Sequence, residues 1–458
     1  MNWKLLANSL GLSVLASVLA VGAGFVVALT LASSGPKWRR AILVGAIVTL
    51  ALPPFLVTNC WLELLGYQSA LRRWLPLNLY SVPGAASLLA LLTWPITTLL
   101  AAGAWSRLES PQLEADPALR NTMLLRWLLW PMARVAVRQA ALLTFVLVLN
   151  NFSVPVILQV PVFPEELWLA FTARLNDAGA AAAAWPMVLV PLIGLVLLRR
   201  SDIAWPRTRG TVDAIVLRRQ MGPRIVAVCV MLTAGLFGLS LGVPLVQLAA
   251  SARTWIELPI FLRASPDVVL NSFVCAASTA TVCVALGLAL RRLPLGVASW
   301  LPFLIPGVLI GRAAIFAFNE TILYPTVALV ILVFSLRYFG IAWSGVSVAL
   351  KSMDRDPIDA AKLGGARGWV LFRHILWPQM AAPVAGVWYV AYLVSLWDVE
   401  TLVLIQPPGG ETLALRIFNM LHYGHNAQVN ATCVALLAVA VMPLALWKTG
   451  GWLLGRRR

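Results

Sequence analysis

Long apolar runs alternate with short polar segments along the whole chain, and this pattern predicts a bundle of membrane-spanning helices. A helix of about 18 or more apolar residues can cross the hydrocarbon core of a bilayer. We predict about eleven such spans, near residues 8–32, 41–62, 80–105, 137–160, 181–198, 223–250, 268–290, 295–318, 322–345, 381–405 and 429–448. Because lipid offers the backbone no hydrogen-bond partners, these runs predict an all-α polytopic membrane protein.

The composition agrees with a membrane location. The chain has 458 residues, of which 60% are apolar and 12% charged, and its mean hydropathy is +0.85. Soluble domains have about 45–50% apolar and about 25% charged residues. The first apolar run is too long for a signal peptide, and basic residues follow it directly, so we expect it to remain as an uncleaved helix.

The net charge of +17 is distributed unevenly over the predicted bundle. If the polar segment 356–378 is cytoplasmic, 26 Lys and Arg residues fall on the cytoplasmic side, 8 on the outer side and Arg337 within a helix. This excess follows the positive-inside rule for a multi-pass inner-membrane protein. It predicts an outer N-terminus and a cytoplasmic C-terminus. No groove-reading motif accompanies the charge, so we expect the lipid bilayer and no nucleic acid as a partner.

The sequence offers no pattern typical of catalysis or metal binding. The five cysteines form no CxxC pair, and His374, His422 and His425 have no carboxylate that clearly completes a ligand set. The phosphate-binding motif GxxxxGK[ST] is absent, so the chain cannot hydrolyse ATP by the P-loop route. We therefore expect no catalytic residue, no metal site and no bound cofactor in this chain.

Short sequence patterns recur in the two halves of the chain. An Asn-Ser pair opens the first helix at Asn8-Ser9 and a later helix at Asn271-Ser272, and a Leu-Trp-Pro triplet ends at Pro131 and again at Pro378. These markers predict two parallel repeats related by a pseudo-two-fold axis along the membrane normal. We assign the first repeat to residues 1–205, a basic cytoplasmic linker to 206–222, and the second repeat to 223–458, which carries an extra leading helix at 223–250.

The polar segment 356–378, here called the docking segment, predicts two short helices at the membrane surface. Asp356 and Pro357 favour the start of a helix, and Gly364-Gly365 provides a stop that accepts positive φ. A second helix is expected from Arg367 to Trp377. A short rigid helix that projects from the membrane surface can insert into a groove of a partner protein.

The docking segment resembles the loop signature of permease subunits of binding-protein-dependent ABC importers. That signature is E-A-A, three residues, G, nine residues, I-x-L-P, and here it is matched at Asp359, Ala360, Ala361, Gly365, Ile375 and Pro378. Asp359 replaces the usual Glu, and Trp377 the usual Leu. Residues 110–131, here called the first-half loop, hold an incomplete copy with Glu114, Ala115 and Pro131. Pro117 interrupts this copy, and it has no glycine at the position that would correspond to Gly365.

The resemblance extends over nearly the whole chain, to two-repeat permeases for ferric iron, with thiamine permeases close by. It implies that the docking segment, and with it the first-half loop, binds a cytoplasmic ABC ATPase dimer that uses ATP and drives alternating access. It also implies an extracytoplasmic substrate-binding protein, and ferric iron is the first expectation for the substrate. A permease for thiamine or another small solute and a self-sufficient secondary transporter remain the alternatives.

Polar residues inside apolar runs are candidates for the transport pathway, because burying them in a membrane is costly. Asp398 and Glu400 fall within the predicted span 381–405, and Asn150 and Asn151 fall in the matching region of the first half. We hypothesise that these four side chains face a pathway between the repeats. The alternative is that the two carboxylates bond to neighbouring helices or to Arg337 and stabilise the fold.

Overall fold

The computed structural model describes residues 2–66, 78–105, 108, 113, 119–172, 179, 182–198, 214–422 and 426–455, and these form helices without any strand. The helices are α1 (Trp3–Ala32), α2 (Pro36–Ala51), α3 (Pro54–Leu65), α4 (Val82–Trp105), α5 (Asn121–Asn150), α6 (Ser153–Ile157), α7 (Phe163–Thr172), α8 (Trp185–Leu198), α9 (Ala214–Met221), α10 (Pro223–Ala250), α11 (Ala252–Ala264), α12 (Pro266–Ala289), α13 (Gly296–Leu304), α14 (Gly307–Phe318), α15 (Val327–Lys351), α16 (Arg355–Leu363), α17 (Gly368–Leu396), α18 (Leu402–Ile405), α19 (Leu413–His422) and α20 (Asn426–Gly455).

Eight of these helices are long and apolar enough to cross a membrane, namely α1, α4, α5, α10, α12, α15, α17 and α20. The pairs α2–α3 and α13–α14 bend by 89° and 92°, and counting each pair as one span gives up to ten spans among the described residues. The predicted span at 181–198 corresponds to α8, which has 14 residues. That length is about 21 Å against a core of about 30 Å, so the predicted number of eleven is not confirmed.

Prolines cause both bends. Leu52 precedes Pro53 and has ψ 128°, and Ile305 precedes Pro306 and has ψ 132°. Proline forces the preceding residue out of the helical region and removes one backbone donor, so the helix stops and restarts in a new direction. The predicted spans at 41–62 and 295–318 are therefore each divided into two helices at these points.

Two further spans lie earlier in the chain than hydropathy predicts. Helix α5 begins at Asn121 instead of near 137 and ends at Asn150, and α17 begins at Gly368 instead of near 381 and ends at Leu396. Hydropathy misses the polar first turns of both helices, because arginines such as Arg126 can continue a helix outside the apolar layer. The polar patches that follow consequently lie beyond the helix ends.

Helices α5 and α17 share an unusual start. Each begins at a residue with positive φ, Asn121 at 53° and Gly368 at 54°, and each contains a five-residue π-helical turn. In both helices a Trp-Pro pair, ending at Pro131 and Pro378, follows the π turn directly. A proline cannot donate to the carbonyl four residues earlier, and its ring displaces that carbonyl, which explains a wider turn at this place.

The two Asn-Ser pairs make the same contacts in the two halves. Asn8 Nδ2 donates to the Pro161 carbonyl at 3.1 Å, and Ser9 Oγ accepts from the Phe163 amide at 2.8 Å. In the second half, Asn271 Nδ2 donates to the Gly409 carbonyl at 2.8 Å. Ser272 Oγ accepts from the Leu413 amide at 2.7 Å. Each serine therefore satisfies an amide at the beginning of a ten-residue helix, α7 or α19.

Helix α10 is the leading helix of the second repeat in sequence, but it packs against helices of the first half. Thr233 and Thr30 of α1 share a hydrogen bond of 2.8 Å, and the Phe237 ring fills the space next to Gly45 of α2. Near the end of α10, Gln247 donates to Glu63 of α3. The chain therefore stays against the first half through both α9 and α10, which follow one another at Gly222.

Short connections fix which helix ends lie together. The turns from α1 to α2, from α12 to α13 and from α15 to α16 lie at one end of the bundle, here called the α16 end. Helix α11 and the segments that precede α7 and α19 lie at the opposite end, if each bent pair crosses the bundle once. One buried apolar cluster, which includes Leu12 and Ala440, extends through both halves.

Candidate functional site

Helix α16 is the first helix of the docking segment, and it begins earlier than predicted. Its N-cap is Asp354, whose side chain accepts from the Asp356 amide at 3.2 Å, so the predicted start at Asp356 is two residues too late. Gln379 of α17 accepts from the Asp354 amide at 2.9 Å. This bond ties the beginning of α16 to the long helix that follows it.

The end of α16 forms as the sequence predicts. Gly365 has φ +84°, and its amide donates to the Lys362 carbonyl at 3.0 Å. The Ala366 amide donates to the Ala361 carbonyl at 2.9 Å, which completes the two bonds of a Schellman motif. A side chain at 365 would meet no neighbouring atom, so the glycine is required by its backbone angle and not by lack of space.

Helix α16 projects from the bundle without burying any residue. Leu363 is 90% exposed, and Asp359 and Ala360 are exposed as well. Ile375 lies half-buried in the π turn of α17, and Pro378 is exposed directly after it. A large aliphatic side chain on an exposed nine-residue helix is the arrangement with which a helix fills a groove of a partner.

The first-half loop is described only in part. Glu114 and Ala115 lie outside the described residues, whereas Pro131 lies in α5 after its π turn. Leu113, the described neighbour of these residues, is fully buried. A docking role for Glu114, Ala115 and Pro131 therefore stays a prediction.

A buried charged cluster lies where α15 passes the break between α17 and α18. Arg337 donates from Nη1 to Asp398 Oδ2 at 2.9 Å and from Nη2 to Glu400 Oε2 at 3.0 Å. Tyr338 donates its hydroxyl to Asp398 Oδ2 at 2.7 Å. Thr401 accepts from Arg337 and bonds to Asp398 through both its amide and its hydroxyl, each at 2.9 Å. The name charged cluster refers below to these five residues.

The charged cluster contains one basic and two acidic side chains. Arg337 contributes one positive charge and Asp398 and Glu400 one negative charge each when ionised, which leaves one uncompensated negative charge. The side chain of Arg337 is 5% exposed, that of Asp398 is 1% exposed and that of Glu400 is 13% exposed. Glu400 is therefore the member of the three that a solute could contact most readily. A buried ion pair persists only when nearly all its atoms are hydrogen-bonded, and this cluster meets that condition except at Arg337 Nε.

The charged cluster touches the first half of the chain through the segment after α5. The Phe152 amide donates to Glu400 Oε1 at 3.3 Å, and Asn150 Nδ2 donates to the Phe303 carbonyl of α13 at 3.3 Å. Asn150 Oδ1 is buried without a hydrogen-bond partner. Asn151 Oδ1 accepts from the Val154 amide at 3.1 Å, which repeats the bond between Asp398 and the amide three residues after it.

Of the four predicted pathway residues, the structure brings Asp398 and Glu400 together on Arg337. Asn150 bonds instead to Phe303, and Asn151 accepts from an amide at the start of α6. Asp398 and Glu400 lie in a helix break and not within a span. Their bonds to Arg337 agree with the alternative that they stabilise the fold, and a role in transport stays a prediction. Among the described residues, no group of three or more His, Cys, Asp and Glu side chains could hold a metal ion.

The sequence reasoning missed Tyr338, Thr401 and Gly307 as partners in this region. Gly307 begins α14, and a Cβ there would lie within 2.6 Å of Thr401 Oγ1 and 2.9 Å of Glu400 Cβ, and closer still to Arg337 Nη1. The available signal was Arg337, a single arginine inside an apolar run, which requires nearby acceptors and close packing. Nothing in the sequence indicated which backbone would supply the space.

Two groups of curated proteins are similar to this chain. Over 177 residues the chain is 27% identical to the putative 2-aminoethylphosphonate transport system permease protein PhnV of Salmonella paratyphi A, a match that covers 37% of this chain and 67% of that protein. Over 93 residues it is 31% identical to the spermidine/putrescine transport system permease protein PotC of Escherichia coli K12, which covers 20% of this chain and 35% of that protein. No family model matches the chain.

The relatives bear on the expectations from the sequence in two ways. Neither PhnV nor PotC is named for iron, so the expectation of ferric iron as substrate receives no support from them. Both are permease proteins of transport systems, which agrees with a transport subunit that is not an enzyme. The apolar helices and these relatives together agree with a multi-pass membrane protein that serves in transport.

Proposed function

We propose that this chain is a fused, two-repeat permease of an ABC importer, that α16 docks it to a separate cytoplasmic ATPase, and that it carries a small amine-bearing solute. The observation that carries the proposal is α16 itself. The helix matches the loop signature of such permeases, ends in the glycine geometry that the signature requires, and leaves Leu363 exposed for a partner. An extracytoplasmic binding protein would deliver the solute at the opposite end of the bundle.

The two-repeat organisation is supported by contacts that occur in both halves. These are the Asn-Ser bonds, the proline bends of α2–α3 and α13–α14, and the matching π turns of α5 and α17. The match with PhnV points the same way, since it takes up 67% of that protein but 37% of this chain. We place the repeats at 1–205 and 223–458, joined by the linker 206–222.

The orientation follows from the charge. With α16 in the cytoplasm, the basic residues that flank the spans lie mostly on the cytoplasmic side, as the positive-inside rule requires. The C-terminus is then cytoplasmic and the N-terminus lies outside. Arg355 and Lys362 of α16 are exposed at the surface that would face the ATPase.

One helix connects the docking segment with the charged cluster. Helix α17 has 29 residues, about 43 Å in length, and Gln379 in its first half bonds to Asp354, the N-cap of α16. Its last residue, Leu396, stands two positions before Asp398. A displacement of α16 by the ATPase would therefore move the helix break that holds Asp398 and Glu400. It would also act on the contact between Glu400 and Phe152 of the first half.

An amine-bearing substrate is proposed from the relatives and from the charge of the cluster. The solutes in the names of PhnV and PotC, 2-aminoethylphosphonate and spermidine or putrescine, all contain amines that are protonated at neutral pH. An ionised carboxylate in a low-dielectric region attracts a passing ammonium group and lowers the cost of removing it from water. Glu400 is the carboxylate with a reachable surface.

Replacing Leu363 by aspartate tests the docking role. We expect the Leu363→Asp variant to lose co-purification with the ATPase and to lower ATPase stimulation by about ten-fold, because a charge would replace the central apolar contact of a helix in a groove. The matched control is Leu293→Asp, since Leu293 is 48% exposed between α12 and α13, at the same end of the bundle. Unchanged association in both variants would show that Leu363 does not dock the ATPase. Transport by the chain alone would favour a self-sufficient secondary transporter.

Replacing Glu400 by glutamine tests the substrate proposal. We expect uptake of labelled putrescine or 2-aminoethylphosphonate, whichever the transporter carries, to fall about ten-fold, a change equivalent to about 1.4 kcal/mol. Glutamine keeps the shape of the side chain but cannot ionise. Glu257→Gln in α11 is the control. Normal uptake in Glu400→Gln would leave Glu400 with a structural role alone, and transport of neither probe would refute the amine-bearing substrate without affecting the docking role.

A further inference from the structure

Helix α9 of the linker packs directly on the first-half loop. Leu217 and Met221 are 1% and 0% exposed, and they lie in one buried apolar cluster with Leu113 and Leu124. The Gln220 side-chain amide donates to the Leu113 carbonyl. The linker is therefore not a free tether at this point, because one face of α9 is fixed to the first half by apolar burial and a hydrogen bond.

The end of α9 lies beside the beginning of α5. Gly222 follows α9 with φ +77°, and a Cβ at this position would collide with Asn121 Oδ1. Asn121 begins α5 as Gly368 begins α17, with nearly the same φ and the same number of residues before the π turn. Helix α16 ends at Leu363, five residues before Gly368. A short surface helix therefore ends near the first turn of each long helix. Helix α9 ends beside the start of α5, and α16 ends just before the start of α17.

The outer face of α9 resembles that of α16. Ile215 is 68% exposed and Leu363 is 90% exposed, so each short helix presents one large aliphatic side chain. Two exposed basic residues accompany each of them, Arg218 and Arg219 on α9 and Arg355 and Lys362 on α16. The two helices also have similar lengths, eight and nine residues.

Resting on the proposed function, we propose that α9 is the ATPase-docking helix of the first half and takes the place of the incomplete copy in 110–131. An ATPase dimer has two equivalent grooves, and α16 fills one of them beside the start of α17. The pseudo-two-fold relation puts the second groove beside the start of α5, where the exposed face of α9 lies. Leu113 of the incomplete copy cannot contact an ATPase subunit in this groove, because α9 covers its side chain.

The linker would then have a mechanical role as well as a connecting one. Through Gly222, α9 leads directly into α10, which packs on α1, α2 and α3. A displacement of α9 by one ATPase subunit would consequently reach the first half by two routes, through α5 at Asn121 and through α10. In the second half a displacement of α16 reaches the bundle through α17, to which Gln379 ties it.

The test uses the full permease together with the ATPase that co-purifies with it. The cysteine variants Ile215→Cys and Leu363→Cys carry a maleimide photocrosslinker, and the five native cysteines are buried. We expect both positions to crosslink to the ATPase, and we expect Ile215→Asp to reduce ATPase stimulation by about ten-fold, as Leu363→Asp does. Leu293→Asp and Leu293→Cys serve as controls at the same end of the bundle.

The outcomes separate this inference from the proposed function. A crosslink from position 363 but not from 215, or adducts of 215 with lipid alone, would overturn the role of α9 and leave the ABC permease assignment intact. No ATPase contact at either position would reject the proposed function itself. Because Ile215 is exposed, its substitution leaves the apolar face of α9 unchanged, and a Leu217→Asp variant would show separately what the loss of that face does to folding.

Discussion

Replacing Arg337 by leucine is expected to destabilise the folded chain by about 3–5 kcal/mol, because it leaves two buried carboxylates without their cation. Asp398 and Glu400 both bond to this guanidinium, and the exposed fractions of their side chains are 1% and 13%. Repulsion between the two carboxylates adds to the loss. The change is measured as the unfolding of the purified protein in detergent, by heat or by denaturant, with the wild type in parallel.

Two further variants decide whether charge is the cause. The triple variant Arg337→Met, Asp398→Asn, Glu400→Gln removes all three charges and should recover most of the lost stability, since no unpaired charge remains buried. The control is Arg416→Met, which removes a surface ion pair with Glu411 of 3.5 Å whose side chains are 28% and 33% exposed. It should cost less than about 1 kcal/mol. Equal losses for Arg337→Leu and Arg416→Met would contradict a buried ion pair.

Replacing Gly307 by alanine is expected to cost about 3 kcal/mol, at the upper end of the usual range for overpacking. The new Cβ would lie within 2.6 Å of Thr401 Oγ1 and 2.9 Å of Glu400 Cβ, and it would press on Arg337 Nη1. The Arg337 side chain cannot move aside without giving up a bond to a carboxylate. Glycine at 307 therefore keeps α14 close enough for the charged cluster to form, and the loss is measured by unfolding in detergent.

Gly386→Ala is the matched control for Gly307→Ala. Gly386 lies inside α17, and a Cβ there would meet no atom within 4 Å. We expect it to change the free energy of unfolding by less than about 1 kcal/mol, since alanine is the better helix former. If Gly307→Ala, Gly386→Ala and the wild type have the same free energy of unfolding, the close packing of α14 on the charged cluster is not needed for stability.

A structural role for the charged cluster does not conflict with a role in transport. The bond from the Phe152 amide to Glu400 is 3.3 Å long and joins the two halves, whereas the bonds from Arg337 and Tyr338 to the two carboxylates are 2.7–3.0 Å long. A relative movement of the halves would release Glu400 from Phe152 and leave it held by Arg337. The stable part of the cluster would then keep the break in shape while the contact between halves opens.

Several features of the fold follow from local sequence. Apolar runs predicted most of the spans, because the bilayer requires long stretches of apolar side chains on helices. The glycine stop after α16 was predictable, because positive φ at Gly365 is a property of one residue type. The Asn-Ser pairs were recognisable as repeated markers, although their bonds to the starts of α7 and α19 could be learned from the structure alone.

Other features depend on contacts between residues far apart in the chain. Hydropathy measures composition, so it placed Asp398 and Glu400 inside a helix, while the structure ends α17 at Leu396 and lets Asp398 cap the next turn. The same limitation hid the true lengths of α5 and α8.

The sequence by itself therefore determined the membrane class, the docking segment and the candidate residues. The tertiary structure decided that Arg337 pairs with both carboxylates, that Gly307 makes room for them, and that α9 covers Leu113. The physical reason is that helix formation and membrane burial depend on neighbouring residues along the chain. The pairing of a buried charge and the packing of a surface helix depend on which distant segments come into contact.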